Sequence, residues 1–188
     1  MSRLGVYIRF FLTALKMIYL KMILKKKVQF NIRSIVPLTT TISIISSGHL
    51  YIGDHINLRK GCKLLIRKNA LLKIESGVSV NYNCIIAAYE KIVIGKGTII
   101  GPNVCMYDHD HDFRVIGGVH DDLYRTAPIT IGENVWIGAG CILLKGTIIG
   151  DNCVIAAGSV VRGDVPPNTI YVQKRETEIL QIDKKGID

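Results

Sequence analysis

Ile131-Gly-Glu-Asn-Val-Trp-Ile137-Gly-Ala-Gly-Cys-Ile-Leu143-Leu-Lys-Gly-Thr-Ile-Ile149-Gly-Asp-Asn-Cys-Val-Ile155-Ala-Ala-Gly-Ser-Val-Val161 decides the fold. Aliphatic residues fall at positions 131, 137, 143, 149, 155 and 161, six apart without a miss. Four residues after each stand Val135, Cys141, Thr147, Cys153, Ser159 and Val165, all small or β-branched. Chance apolar alternation loses phase within two or three such units. A short fixed period marks a solenoid, and a period of six reads as a parallel β-helix. Each unit supplies one short strand and one tight turn, and three units close a triangular coil. The large aliphatic points inward and the small residue packs beside it. Gly132, Gly138 and Gly150 follow the aliphatic position, where a turn needs positive φ or close backbone approach.

The same phase runs upstream in three shorter stretches. Ile52, Leu58 and Leu64 form one, Ile74, Val80 and Ile86 a second, Ile94, Ile100 and Met106 a third. The phase slips near 65–73 and 87–93, which reads as strand extension or a small bulge. Residues 107–128 carry no repeat and hold three of the five histidines. They read as a loop projecting from the prism, and long loops on compact scaffolds carry function. The expected division is a basic apolar helical arm over 1–45, the β-helix over 46–172 and a tail over 173–188.

Charge is unevenly placed. Residues 1–53 contain eight Lys or Arg and no Asp or Glu, so they carry most of the formal net charge of +9. The run from Leu4 to Leu24 predicts a helix, followed by Lys25, Lys26 and Lys27. Its longest uncharged run is too short to span a bilayer. Two readings stand for residues 1–27: packing on the protein or a neighbouring subunit, or lying on an anionic membrane surface. Nucleic acid is not the expected partner, because no aromatic-interleaved basic face accompanies the charge. Cys62, Cys84, Cys141 and Cys153 occupy the small inward position, where Cys serves as a small hydrophobe. Only Cys105 is out of that phase, and no CxxC pair suggests zinc. This usage fits a reducing cytoplasm.

The loop opens with Tyr107-Asp108-His109-Asp110-His111-Asp112-Phe113. An imidazole near a groove can serve as general base. In an extended segment His109 and His111 share one face and the Asp residues the other, which splits any metal-ligand set. A solvated polar loop without chemistry is the remaining reading.

The chain resembles the hexapeptide-repeat acyltransferases, in the branch of galactoside, maltose and capsular-polysaccharide O-acetyltransferases. The resemblance covers about 50–172. It rests on Pro128-Ile-Thr-Ile-Gly-Glu-Asn-Val-Trp-Ile-Gly138, on 146–161 and on Asp164-Val-Pro-Pro-Asn168. It implies an all-β solenoid, a left-handed parallel β-helix, with a handedness that period alone does not give. It implies an acetyl-CoA-dependent O-acetyltransferase acting on a sugar or polysaccharide without a metal, as a homotrimer with acyl sites between prisms. His111, eight residues after Asn103, matches the catalytic base, with His109 beside the acceptor. Asn81-Tyr82-Asn83 matches the acceptor-binding string. Trp136, Ala139, Ala157, Arg162, Lys174 and Arg175 are the implied acetyl-CoA contacts, although Gly163 replaces the usual Lys and Gln173-Lys174-Arg175 the usual C-terminal motif. A glycan substrate and a basic arm together suggest work at the inner face of the membrane. An N-acyltransferase on an amino sugar, a metal-dependent carbonic anhydrase of the same prism and a non-catalytic scaffold are the alternatives.

Overall fold

The computed structural model describes residues 3–24, 27–31, 33–120, 123–174 and 176–179. The chain winds through about six turns of a triangular solenoid, consistent with the left-handed β-helix. Three parallel sheets form its faces. The first has seven strands, running from Val28–Phe30 through His49–Ile52, Leu71–Ile74, Lys91–Ile94, Ile129–Ile131 and Ile148–Ile149 to Asp164–Val165. The second has six, from Asn57–Leu58 to Ile170–Tyr171, and the third six, from Thr41–Ile44 to Val160–Val161. The first and third sheets thus begin inside residues 1–45, so part of that segment belongs to the solenoid.

Coil length explains the slips in phase. Leu64 pairs with Ile86, 22 residues on, whereas Leu143 pairs with Val161, 18 residues on. The longer coils contain four-residue strands, Lys63–Ile66, Leu71–Ile74, Ile85–Ala88 and Lys91–Ile94, where later coils have two or three. The predicted inward aliphatics are fully buried, with Ile131, Ile137, Leu143, Ile149, Ile155 and Val161 at most 1% exposed. Stacked coils settle the backbone: strand N–H groups donate to carbonyls one coil on, as Ile85 N–H does to Val104 O at 2.9 Å, and N–H groups at the turns donate one coil back, as Gly77 N–H does to Asp54 O at 2.8 Å.

The small inward positions have a second role. The Cys62, Cys84, Cys141 and Cys153 thiols donate to the carbonyls of Asn81, Gly101, Ala156 and Pro166 at 3.0–3.2 Å. Thr98 and Thr147 hydroxyls do the same to Gly132 and Val161 at 3.0 Å. At these six turns a small donor therefore ties the turn to the next coil while filling the prism. Burial pushes the Cys141 thiol up, away from ionisation. All five cysteines are free, and Cys105 alone is not buried.

Two kinds of turn residue separate. Gly138 and Gly150 do not adopt positive φ; they permit close approach, since a Cβ on either would lie 2.5 Å from the backbone nitrogen of Ala157 or Pro167. Positive φ falls instead on the residue just before the small inward one, as at Asn134 (55°), Gly140 (67°), Asn152 (56°) and Gly158 (70°). Asn and Gly are the residues that tolerate it best.

Helix α1 (Arg3–Leu24) packs on the first coil. It contains no proline and only one glycine, near its start, and Lys21 lies in the last turn, where the helix dipole favours a cation. Met17 and Thr13 are buried and join the core beside Val28 and Val36. The Thr13 hydroxyl donates to Val36 O (3.2 Å) and accepts from Val36 N–H (3.0 Å). The Lys16 ammonium donates to the carbonyls of Pro37 (2.9 Å), Leu38 (3.4 Å) and Thr40 (2.5 Å), and burial pulls its pKa down. α1 thus covers strand groups that a bare solenoid end would leave open. Its other side remains apolar and exposed, with Tyr7, Phe11, Leu15, Ile18, Tyr19 and Met22 facing outward. Both readings of the arm therefore have a physical basis: one side packs and the other is uncovered in the single chain. Among the described residues no helix is long and apolar enough to cross a membrane.

Candidate active site

The excursion after the third-sheet strand Cys105–Tyr107 folds into an antiparallel ribbon, His109–His111 against Tyr124–Thr126. His111 stands opposite Tyr124, Asp110 opposite Arg125 and His109 opposite Thr126. The chain then re-enters the prism at Ile129 in the first sheet. The projecting loop is therefore a rooted ribbon at the edge between the third and first sheets.

Asp108 roots it. Its side chain is fully buried and accepts the N–H groups of Tyr89 (2.7 Å), Glu90 (2.9 Å) and Lys91 (2.8 Å). At other turns such groups reach carbonyls of the next coil. Here that coil has left the prism, and the carboxylate supplies the missing acceptors. Asp108 O also accepts Ala127 N–H at 3.0 Å, closing the base of the ribbon. Alternation puts Asp108 on the face opposite His109 and His111, as the sequence predicts. Strand alternation with inward-facing Met106 was the signal that it points inward.

The two histidines differ. His109 is largely buried, stacks on Tyr89 with centroids 3.4 Å apart and planes at 18°, and brings Nδ1 within 3.4 Å of Asp108 Oδ1. The Arg67 guanidinium covers Tyr89 5.0 Å from the ring centroid. This stack borders a cleft of about 280 Å³ on the outer face of the third sheet, floored by Ser43, Leu65 and Ala87. His111 is exposed and leans on Tyr124, centroids 4.7 Å apart. No hydrogen bond engages its imidazole among the described residues. Tyr124 also lies 5.6 Å from His109, so both histidines meet one ring, as alternation predicts. Asp110 turns away to pair with Lys145 at 3.2 Å. Sequence spacing does not single out Tyr89 and Arg67, whose ring contacts cross coils, or Tyr124, which meets the histidines only through the fold of the ribbon.

The remaining candidates lie elsewhere. Asn81, Tyr82 and Asn83 form a turn from the second sheet to the third, and Ala139 and Ala157 occupy the same turn on later coils. Hydrogen bonds align this column: Asn83 N–H to Lys60 O, Asn103 N–H to Tyr82 O, Gly140 N–H to Pro102 O and Gly158 N–H to Ala139 O. Tyr82, Ala139 and Ala157 are exposed along it, and exposed Lys174 follows the last second-sheet strand. Arg162 sits instead at the edge between the third and first sheets, with Lys145 and Arg125 around a shallow basic depression. Trp136 stands 57% exposed on the outer face of the second sheet, in register between Ile99 and Val154. Arg175 lies outside the described residues. Within one chain the structure thus brings Asn81, Tyr82, Ala139 and Ala157 to one edge of the third sheet. It puts His109, His111 and Arg162 at the other.

Residues 128–163 match the family model described as bacterial transferase hexapeptide (six repeats). The Escherichia coli putative lipopolysaccharide biosynthesis O-acetyl transferase WbbJ is 31% identical over 135 residues, covering 68% of this chain and 69% of that protein. The chain belongs to the hexapeptide-repeat acetyltransferases. A putative acetyltransferase of Schizosaccharomyces pombe is 42% identical over 108 residues, 56% of this chain but only 50% of that protein. The chain therefore spans about half the length of that curated relative. Among solved structures, the hexapeptide-repeat acetyltransferase VCA0836 of Vibrio cholerae aligns with a TM-score of 0.53 and 26% identity, over 63% of this chain and 66% of that one. Among the described residues no three His, Cys, Asp or Glu side chains converge as they would around a metal ion.

Proposed function

We propose that the protein transfers an acetyl group from acetyl-CoA to a hydroxyl of a sugar on a surface polysaccharide or its precursor. The observation that carries this reading is the open imidazole of His111, on a rooted ribbon and free of hydrogen bonds among the described residues. His111 takes the acceptor hydroxyl proton as that oxygen attacks the thioester carbonyl. The tetrahedral oxyanion is steadied by a backbone N–H of the later coils. Its collapse breaks the carbon–sulfur bond, and the imidazolium returns the proton to the departing thiolate. The products are an acetyl ester and free CoA, with no covalent enzyme intermediate. Thiol release from acetyl-CoA, measured across hydroxyl and amino sugars, tests the reaction. It should depend on a hydroxyl acceptor; release with amino sugars alone would replace this reading by N-acyl transfer.

The two edges of the third sheet are complementary halves of such a site. One offers an exposed column of small residues for the pantetheine arm, the other offers the base. We infer a homotrimer in which the ribbon of one prism lies against the Tyr82–Ala157 column of the next. Ile99, Trp136 and Ile170 form an exposed apolar stripe on the second sheet suited to packing between prisms.

The outer side of α1 fits a peripheral contact with anionic lipid at the inner face of the membrane. It is apolar, it has no acidic residue, Lys21 lies in the last turn of the helix, and the Lys25–Lys27 run follows in sequence. Each basic residue near such a surface contributes about 1 kcal/mol. Flotation with anionic vesicles should capture the protein, fall with rising salt, and be lost in a Phe11→Glu, Met22→Glu double variant. Equal capture by zwitterionic vesicles would contradict the charge argument.

A further inference from the structure

A groove heads the Tyr82–Ala157 column. It lies between α1 and the first coils and encloses about 210 Å³. Leu12, Val36 and Leu38 are among its apolar lining, Arg59 and Lys60 border it, and Tyr82 borders it from the turn one coil on from Lys60. Among the described residues neither Arg59 nor Lys60 makes an ion pair, so two cations border an apolar slot without a carboxylate partner. Leu12 also lies on the exposed side of α1, so the groove opens onto the apolar face of the helix.

We propose that this groove holds the lipid phosphate end of the acceptor, so that the acceptor is a saccharide linked through phosphate to a long hydrocarbon chain. The inference rests on the transfer reading above and names its substrate class. The chain leaves along the outer side of α1, burying methylenes against Leu12 and Leu38. Arg59 and Lys60 hold the phosphate through charge-assisted hydrogen bonds. The sugar then lies below, against Asn81 and Tyr82. Lys60 and Ala139 are three coils apart in the column, which is about 14 Å at the strand spacing. A short saccharide spans that distance, putting a hydroxyl at the level of the thioester. A free sugar would leave the apolar slot and both cations unused.

Calorimetric titration of the full chain tests this with three probes: dodecyl phosphate, dodecyl glucoside and glucose 1-phosphate. Dodecyl phosphate, below its micelle concentration, should bind at least about tenfold tighter than either of the others, since only it supplies both the chain and the charge. An Arg59→Ala, Lys60→Ala double variant should lose about tenfold or more for dodecyl phosphate while keeping its melting temperature. A Leu38→Asp variant should lose the advantage over glucose 1-phosphate. Equal binding of glucose 1-phosphate and dodecyl phosphate, or unchanged binding in either variant, overturns the proposal. Probe binding as expected, with no thiol release from acetyl-CoA and any acceptor, supports the groove and overturns the transfer reading instead.

Discussion

Replacing His111 with Ala is expected to lower thiol release from acetyl-CoA by about 10²–10⁴-fold, the usual contribution of a positioned general base. Melting temperature and CoA binding should change little. His111 is exposed, and among the described residues its aromatic contact is with Tyr124 on the ribbon, outside the coils. The loss should therefore appear in kcat rather than in KM for acetyl-CoA. His109→Ala makes the contrast. That ring is sandwiched against Tyr89 and faces Asp108, so its removal should lower the melting temperature and loosen the ribbon. A His111→Ala enzyme within a few-fold of the parent rate would move the base to another group.

The prism was legible because its chemistry repeats. Every coil needs an aliphatic inside and a small residue beside it, so the pattern recurs through Ile131 to Val161 without a miss. The exception to the pattern was legible too, since residues 107–128 break the phase. What the period does not carry is how residues of different coils meet. Tyr89 and His109 are 20 positions apart in sequence, yet their rings stack because one coil separates them. Asp108 shows the same limit from another side. Its role follows from three N–H groups of the coil before it, left without carbonyl partners where the chain departs. The role of Gly138 was readable only as a choice between positive φ and close approach. The stacked turn of Ala157 decides for close approach, and Asn and Gly just ahead of the small inward residues take the positive φ. The resemblance brought His111, Asn81 and Ala139 together as one site. The single chain spreads them over two edges of the third sheet, a division that no linear motif contains.

That division makes the second large effect specific. A His111→Ala chain keeps its Tyr82–Ala157 column, and an Ala139→Trp chain keeps its ribbon while its column is blocked by a bulky ring. Each is expected to be nearly inactive alone. Ala139 is exposed at a turn, so the larger side chain should not disturb the core. In a mixed trimer, the column of the first variant meets the ribbon of the second and a complete site returns. With equal co-expression and random assembly, about a quarter of the sites are complete in a cyclic trimer. The direct test is thiol release by co-expressed His111→Ala and Ala139→Trp chains, purified together. Recovery to about a quarter of the parent rate is the expected result for a base delivered across the subunit boundary. A mixture as inactive as its two parts would show that the imidazole and the thioester must come from the same chain, contradicting the account.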